Sequence, residues 1–259
     1  MASELRLMCV LAHPDDESLG TGGALAKYAA EGIGTYVLTA TRGERGRFDD
    51  TGRSPGPEIV ARTREAELRA AASELGVREI AFLDYRDAEL DRAAAPEASE
   101  RVAGHIRRLQ PHVVITFDPF GAYGHPDHIA ISQLTAAAIV RAADSHRVSK
   151  LYNFVSSARK WAVYQAAFKT LTSTVDGTVR VAVPWPDWSI TTVVDATAVW
   201  STVWRAVQCH KTQMSIYKDF ASLSEEDQKM LWGRAEFYRV FSLVNSGRTQ
   251  ETDLFEGLR

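Results

Sequence analysis

The run Ala12-His13-Pro14-Asp15-Asp16-Glu17 places one imidazole and three carboxylates within positions 13 to 17. Neighbouring acids repel one another unless a cation or hydrogen-bond donors compensate them, and the adjoining histidine adds a nitrogen ligand. One aspartate would suffice to cap a helix and complement its dipole, so the cluster points past capping to metal binding or acid–base work. A second cluster, Tyr123-Gly124-His125-Pro126-Asp127-His128, holds two imidazoles and a carboxylate, enough for a ligand and a His–Asp orienting pair. Two imidazoles and a carboxylate drawn from such a pair of clusters leave a coordination position open for water, the pattern of catalytic zinc. With a neighbouring carboxylate as base, that arrangement hydrolyses a carbonyl compound. The same residues permit a rival, because His13-Pro14-Asp15 with a distant histidine also fits the facial triad of non-haem iron oxygenases.

Both clusters must be carried to one place. Apolar, β-leaning runs at Leu5–Leu11, Thr35–Ala40, Glu79–Leu83 and His112–Phe117 alternate with helical patterns, which predicts βαβ units and a mostly parallel sheet. The helices are expected to end near Gly32, to span Glu58–Leu75 with Gly76 as the stop, and to cover about Pro96–Leu109 and Asp127–Ala143. The fold class is α/β, a Rossmann-like sheet with helices on both faces. In the strand order 3-2-1-4, strands one and four are neighbours where the winding reverses, and ligands bind outside their carboxyl ends. Each cluster follows one of those strands. The alternating pattern also argues against the β-barrels on which facial triads usually sit.

After residue 150 the pattern loosens: a β-like run at Lys150–Val155, a helix-like segment to Leu171, β-leaning runs at Thr178–Val183 and Ile190–Val194, a helix over about Ala196–Gln213, then a polar tail. All six tryptophans (Trp161, Trp185, Trp188, Trp200, Trp204, Trp232) lie in this part. The reading is one domain over 1–259, with an α/β metal-binding core at 1–150 and an embellished extension at 151–259 that shapes the substrate pocket.

Composition narrows the partners. The 259 residues include 30 Lys+Arg and 33 Asp+Glu, a net charge of −3, which offers no field for nucleic acid or an anionic membrane. Cys9 and Cys209 make no disulfide framework and sit in no Cys-x-x-Cys motif. No apolar leader opens the chain and no run approaches the ~20 residues that span a bilayer, so a cytoplasmic protein is expected. The sequence leaves a homo-oligomer open. A nucleotide-binding module is disfavoured, since the turn after the first strand holds His-Pro-Asp-Asp-Glu in place of Gly-x-Gly-x-x-Gly.

Three further features invite a role. Arg64 shares a helix face with Val60, Leu68, Ala71 and Leu75, so it either snorkels or pairs with Glu67, or reaches polar substrate groups at the crevice rim. Asp84-Tyr85-Arg86-Asp87 follows the third strand, where an acid could grip hydroxyls. Pro184-Trp185-Pro186-Asp187-Trp188 is a rigid aromatic loop that would suit sugar rings, although core packing is the commoner fate of tryptophan.

Together, Ala12–Glu17, Thr41-Arg-Gly-Glu-Arg-Gly46, Arg64-Glu-Ala-Glu67 with Leu75-Gly76, Phe82–Asp87, Gly124–His128 and His210-Lys-Thr-Gln213 resemble the N-acetylglucosaminyl deacetylase family, the LmbE-like or PIG-L deacetylases, which includes enzymes of the mycothiol and bacillithiol pathways. The resemblance implies that His13, Asp16 and His128 bind zinc, or ferrous iron in its place, and that Asp15 is the general base. It implies that His125 stabilises the oxyanion or protonates the leaving amine, with Asp127 orienting its ring and Tyr123 contacting the acyl group. Arg64 and Asp87 match positions that hold sugar hydroxyls. The implied reaction is hydrolysis of an N-acetyl group on a small-molecule amino sugar or its conjugate, with a non-acetyl amide such as a thiol-sugar conjugate as the alternative. Members acting on mycothiol precursors often continue the Asp87 motif with Ser-Gly-Met, where this chain has Ala88-Glu89-Leu90.

Overall fold

The computed structural model describes residues 4–49, 51–168, 172–175, 177–247 and 249–259. Its first half is a wound series: β1 (Arg6–Leu11), α1 (Asp16–Gly20), α2 (Gly22–Ala30), β2 (Gly34–Thr39), α3 (Pro57–Glu74), β3 (Glu79–Phe82), α4 (Ala95–Leu109), β4 (Val113–Thr116), α5 (Gly121–Gly124) and α6 (Pro126–Ala142). The second half adds β5 (Lys150–Phe154), α7 (Ala158–Phe168), β6 (Thr172–Val175), β7 (Thr178–Val181), β8 (Thr192–Asp195), α8 (Trp200–Cys209), α9 (Met214–Tyr217), α10 (Glu225–Trp232) and β9 (Arg234–Ser242).

Seven strands form one sheet in the order β3-β2-β1-β4-β5-β9-β8. The first five are mutually parallel, whereas β9 runs antiparallel to β5 and β8 antiparallel to β9. The expected 3-2-1-4 order is therefore present, and β1 and β4 are neighbours in the middle of the sheet. Leu7–Leu11 and Val113–Ile115 are wholly buried, as unbroken apolar strands covered on both faces must be. One group of helices, α2 and α3, packs with α8, and α4 packs with α6.

The second half departs further from expectation. The polar tail contains α10 and the nine-residue β9, whose carboxylate Glu236 is buried against Ser157 at 2.7 and 3.0 Å and so hides a strand behind a charged residue. The long helix expected over Ala196–Gln213 is helical as α8 only from Trp200 to Cys209, flanked by single tight turns at Thr197–Val199 and Lys211–Gln213. The first helix is broken at Thr21, whose hydroxyl donates to the Glu17 carbonyl. β6 and β7 pair as a separate hairpin. The end of the helix-like segment, up to Leu171, lies outside the described residues. Among the described residues no helix is long and apolar enough to cross a membrane.

Candidate active site

The chain leaves β1 and turns sharply through Ala12–Asp16. The backbone amides of Ala12 and His13 donate to Asp16 Oδ2 at 3.2 and 2.7 Å, so this carboxylate both closes the turn and is fixed by it. Asp15 sits at φ 103°, in the left-handed region that non-glycine residues seldom occupy, and its amide donates to Glu17 Oε2 at 2.9 Å. Across the crevice, β4 gives way to Phe117 and Asp118. Asp118 is the acceptor for the Ala122 amide and the Trp185 indole, which shapes the turn into His125. His125 caps α6, with Pro126 in the first turn.

Hydrogen bonds fix the imidazole faces. His13 Nε2 lies 3.1 Å from Asp87 Oδ1 and 3.2 Å from Asp127 Oδ2, and His128 Nδ1 lies 3.2 Å from the Gly121 carbonyl. Those acceptors claim the ring N–H groups, the arrangement by which outer partners set the tautomer of a metal-ligating histidine. What remains is His13 Nδ1 facing His128 Nε2 at 3.1 Å, with Asp16 Oδ1 at 3.6 Å from the latter and Asp16 Oδ2 at 3.8 Å from the former. Ligands held about 2.0–2.1 Å from a tetrahedral ion stand about 3.3 Å apart, so the spacing fits. His128 is locked by Phe117, stacked on it at 3.9 Å. His125 also brings a ring nitrogen within 4.8 Å of ligand atoms on His13 and His128.

The electrostatics record how crowded the site is. Burial pushes Asp16 up to about 7, with the charges of Asp15 and Glu17 adding to it against His13. Burial alone would lower His13, but its bonds to Asp127 and Asp87 prevail and hold it at about 10. Burial and then the charge on His13 lower both His125, to about 4, and His128.

A cavity of about 380 Å³ opens over this group, and His13, Asp15, Asp16, Arg64, Asp87, Tyr123, His125 and His128 all line it, whereas Asp127 does not. Asp127 lies beneath, its carboxylate taken by His13 and the amides of Ala88 and Leu90 at 2.7 and 3.1 Å. Its link to His125 is its own backbone N–H, donated to His125 Nδ1 at 3.2 Å. Arg64 is buried, 4% exposed, with Nη1 on the Gly43 carbonyl and Nη2 on the Pro14 carbonyl and Asp15 Oδ2 at 3.0 Å. A side chain at Gly43 or Gly46 would overlap the Arg64 guanidinium, which accounts for both glycines of Thr41–Gly46. Glu67 does not pair with Arg64; it accepts from Thr212.

The family model described as PIG-L, GlcNAc-PI de-N-acetylase, matches residues 8–139, just over half of the chain. The chain belongs to this family. A PIG-L relative in Mycolicibacterium vanbaalenii, described as 1D-myo-inositol 2-acetamido-2-deoxy-alpha-D-glucopyranoside deacetylase, is 35% identical over 98% of both chains. Among solved structures, an N,N'-diacetylchitobiose deacetylase from Pyrococcus horikoshii superposes with a TM-score of 0.68 at 20% identity, over 91% of this chain and 83% of that one. A 4-carboxy-2-hydroxymuconate hydratase from Pseudomonas putida KT2440 has the same TM-score at 21% identity, over 94% and 99%. The PIG-L fold is thus shared by two chemistries, and the site must decide between them.

Sequence reasoning about this PIG-L chain missed Tyr217. Its hydroxyl lies 2.6 Å from Asp15 Oδ2, although 202 residues separate the two. It also left His210 without a role, whereas His210 Nε2 meets Glu17 Oε1 at 2.7 Å and both are fully buried. The only local signal was their common neighbourhood, the His210–Gln213 motif. Trp161 lines the cavity, but Trp185 packs on Tyr238 and Trp188 is 88% exposed, so the aromatic loop lies off the site.

Proposed function

We propose that this chain removes the N-acetyl group of an amino-sugar conjugate by hydrolysis, with His13, Asp16 and His128 holding zinc. The observation that carries the reading is the meeting of two imidazole nitrogens and a carboxylate at the floor of a cavity that also presents Asp15 and His125. These nitrogen and oxygen donors suit zinc, and they would also accept ferrous iron. The bound ion would supply Lewis acidity to the amide carbonyl and acidify a water.

The protein's own groups complete the reaction. Asp15 takes a proton from the water that attacks the carbonyl carbon. Both polar partners of its carboxylate among the described residues bind Oδ2, so Oδ1 is the atom left to act as base. His125 accepts the Asp127 amide at Nδ1, so the neutral ring carries its proton on Nε2 and donates it to the developing oxyanion. Burial raises the Tyr123 hydroxyl well above its ordinary range, and it stays a donor beside the His125 and His128 rings. When the C–N bond breaks, the proton held by Asp15 passes to the departing amine, giving acetate and a free amino sugar. Asp87 fixes His13 and, at the cavity wall, meets the sugar hydroxyls; Arg64 acts on Asp15 rather than on the sugar alone. The facial-triad reading needs Asp15 on the metal, yet that carboxylate is turned to Arg64 and Tyr217.

The substrate we favour is N-acetylglucosaminyl inositol, for which the relatives are named. Acetate release should be measured on this compound, on N-acetylglucosamine and on N,N'-diacetylchitobiose, before and after chelation. Turnover should be fastest on the inositol conjugate, vanish on chelation and return with zinc. Chelator-insensitive release, or none from any of the three, would refute the reading.

A further inference from the structure

We propose that residues 210–217 form a strap that positions the general base, with Tyr217 and His210 as its two working residues; the inference rests on the reading of Asp15 as base. Asp15 is held in a left-handed conformation, φ 103° and ψ −26°, which costs roughly 1–3 kcal/mol and persists only where the surroundings over-determine it. Two arms of the strap provide that constraint.

The first arm holds the carboxylate. Tyr217 donates to Asp15 Oδ2 at 2.6 Å and Arg64 Nη2 donates to the same oxygen at 3.0 Å. No hydrogen bond among the described residues engages Oδ1, so the pair fixes the rotamer while leaving one oxygen for the water. The second arm holds the backbone. The Asp15 amide donates to Glu17 Oε2, and Glu17 Oε1 is in turn held by His210 Nε2 at 2.7 Å and by the Ser18 hydroxyl at 2.5 Å. His210 Nδ1 has no partner among the described residues, so the ring's one polar contact is spent on Glu17.

The residues between the arms tie the strap to the same structures. The Thr212 amide and hydroxyl donate to the buried Glu67 at 2.8 and 2.7 Å, one helical turn from Arg64 on α3. Gln213 Nε2 donates to the Arg47 carbonyl at 2.7 Å, beside the Gly43–Gly46 wall against Arg64. Thus His210, Thr212, Gln213 and Tyr217 each grip an element that supports Asp15, which gives the His210–Gln213 motif a physical purpose. A base displaced by about 1 Å can cost on the order of 100-fold in rate, so the strap acts on turnover.

Two measurements on the full-length protein test this. For acetate release, Tyr217→Phe should lower kcat about 10- to 100-fold, with KM within about twofold, metal content unchanged and the melting temperature within a few degrees of the parent. His210→Gln, which keeps a donor where Nε2 stands, should retain most of the kcat lost in His210→Ala. Independently of any substrate, hydrogen exchange of the Asp15 amide should be at least about tenfold faster in His210→Ala than in the parent and near the parent rate in His210→Gln. A parental kcat in Tyr217→Phe, or an unchanged Asp15 exchange rate in His210→Ala, would overturn the strap. If the parent protein releases no acetate, the proposed function fails, and the exchange measurement still decides whether the strap holds Asp15.

Discussion

Two buried charged clusters sit in the same sheet and behave in opposite ways. At the β5–β9–β8 side, the Glu251 carboxylate accepts from Lys150 Nζ at 2.7 Å, Tyr152 at 2.7 Å, Thr192 at 2.8 Å and Asn245 at 2.6 Å, with Arg239 at 2.9 Å. Burial would raise its pKa, but these donors hold it at about 2. Every charge there has a partner. In the crevice between β1 and β4, two ring nitrogens face each other, three acids are consecutive, and Arg64 Nε and His210 Nδ1 lack partners among the described residues. Charges of the first kind are spent on one another within the fold, whereas two facing ring nitrogens on the floor of a cavity are donors set for something to bind.

Substitutions should therefore separate the two clusters. The largest effect is expected of His128→Ala, which should lose the metal and lower acetate release on the order of 1,000-fold or more, with a modest fall in metal-free stability because a buried ring stacked on Phe117 is removed. Elemental analysis beside a melting curve reads both quantities. Glu251→Gln should do the reverse. It leaves Lys150 and Arg239 buried beside a neutral group, which should cost about 3–5 kcal/mol and roughly 10 °C in melting temperature while kcat of the folded enzyme is kept. Because the folded pKa of Glu251 lies below its ordinary value of about 4.3, its stabilisation is fully present above about pH 5 and is lost as the pH falls towards 2. The gap in melting temperature between parent and Glu251→Gln should close over that window. The smallest effect is expected of Trp188→Ala: the ring is exposed and off the cavity, so KM should stay within about twofold.

What could be read from the sequence was whatever is local. His13–Glu17 and Gly124–His128 each sit directly after an apolar strand, and the winding rule alone brings β1 and β4 together, so their convergence was legible. Arg64 was legible as an anomaly, a charge on a buried stripe, but its partner Asp15 was not, because the turn that presents that carboxylate depends on a left-handed residue. Tyr217 and His210 act across 202 and 193 residues, and nothing in their own neighbourhood announces the partner. β9 escaped for a related reason: its charged residues are paired in the folded chain, Arg234 and Glu236 with each other, Glu236 also with Ser157, and Arg239 with Glu251.

The proposed reaction turns on Asp15 acting as base beside a separately held metal. The most direct test is acetate release by the zinc-loaded Asp15→Asn variant, with the metal content of the same sample determined. One equivalent of zinc bound with kcat reduced between about 100- and 10,000-fold is the predicted result. A metal-replete variant that turns over at the parental rate would contradict it.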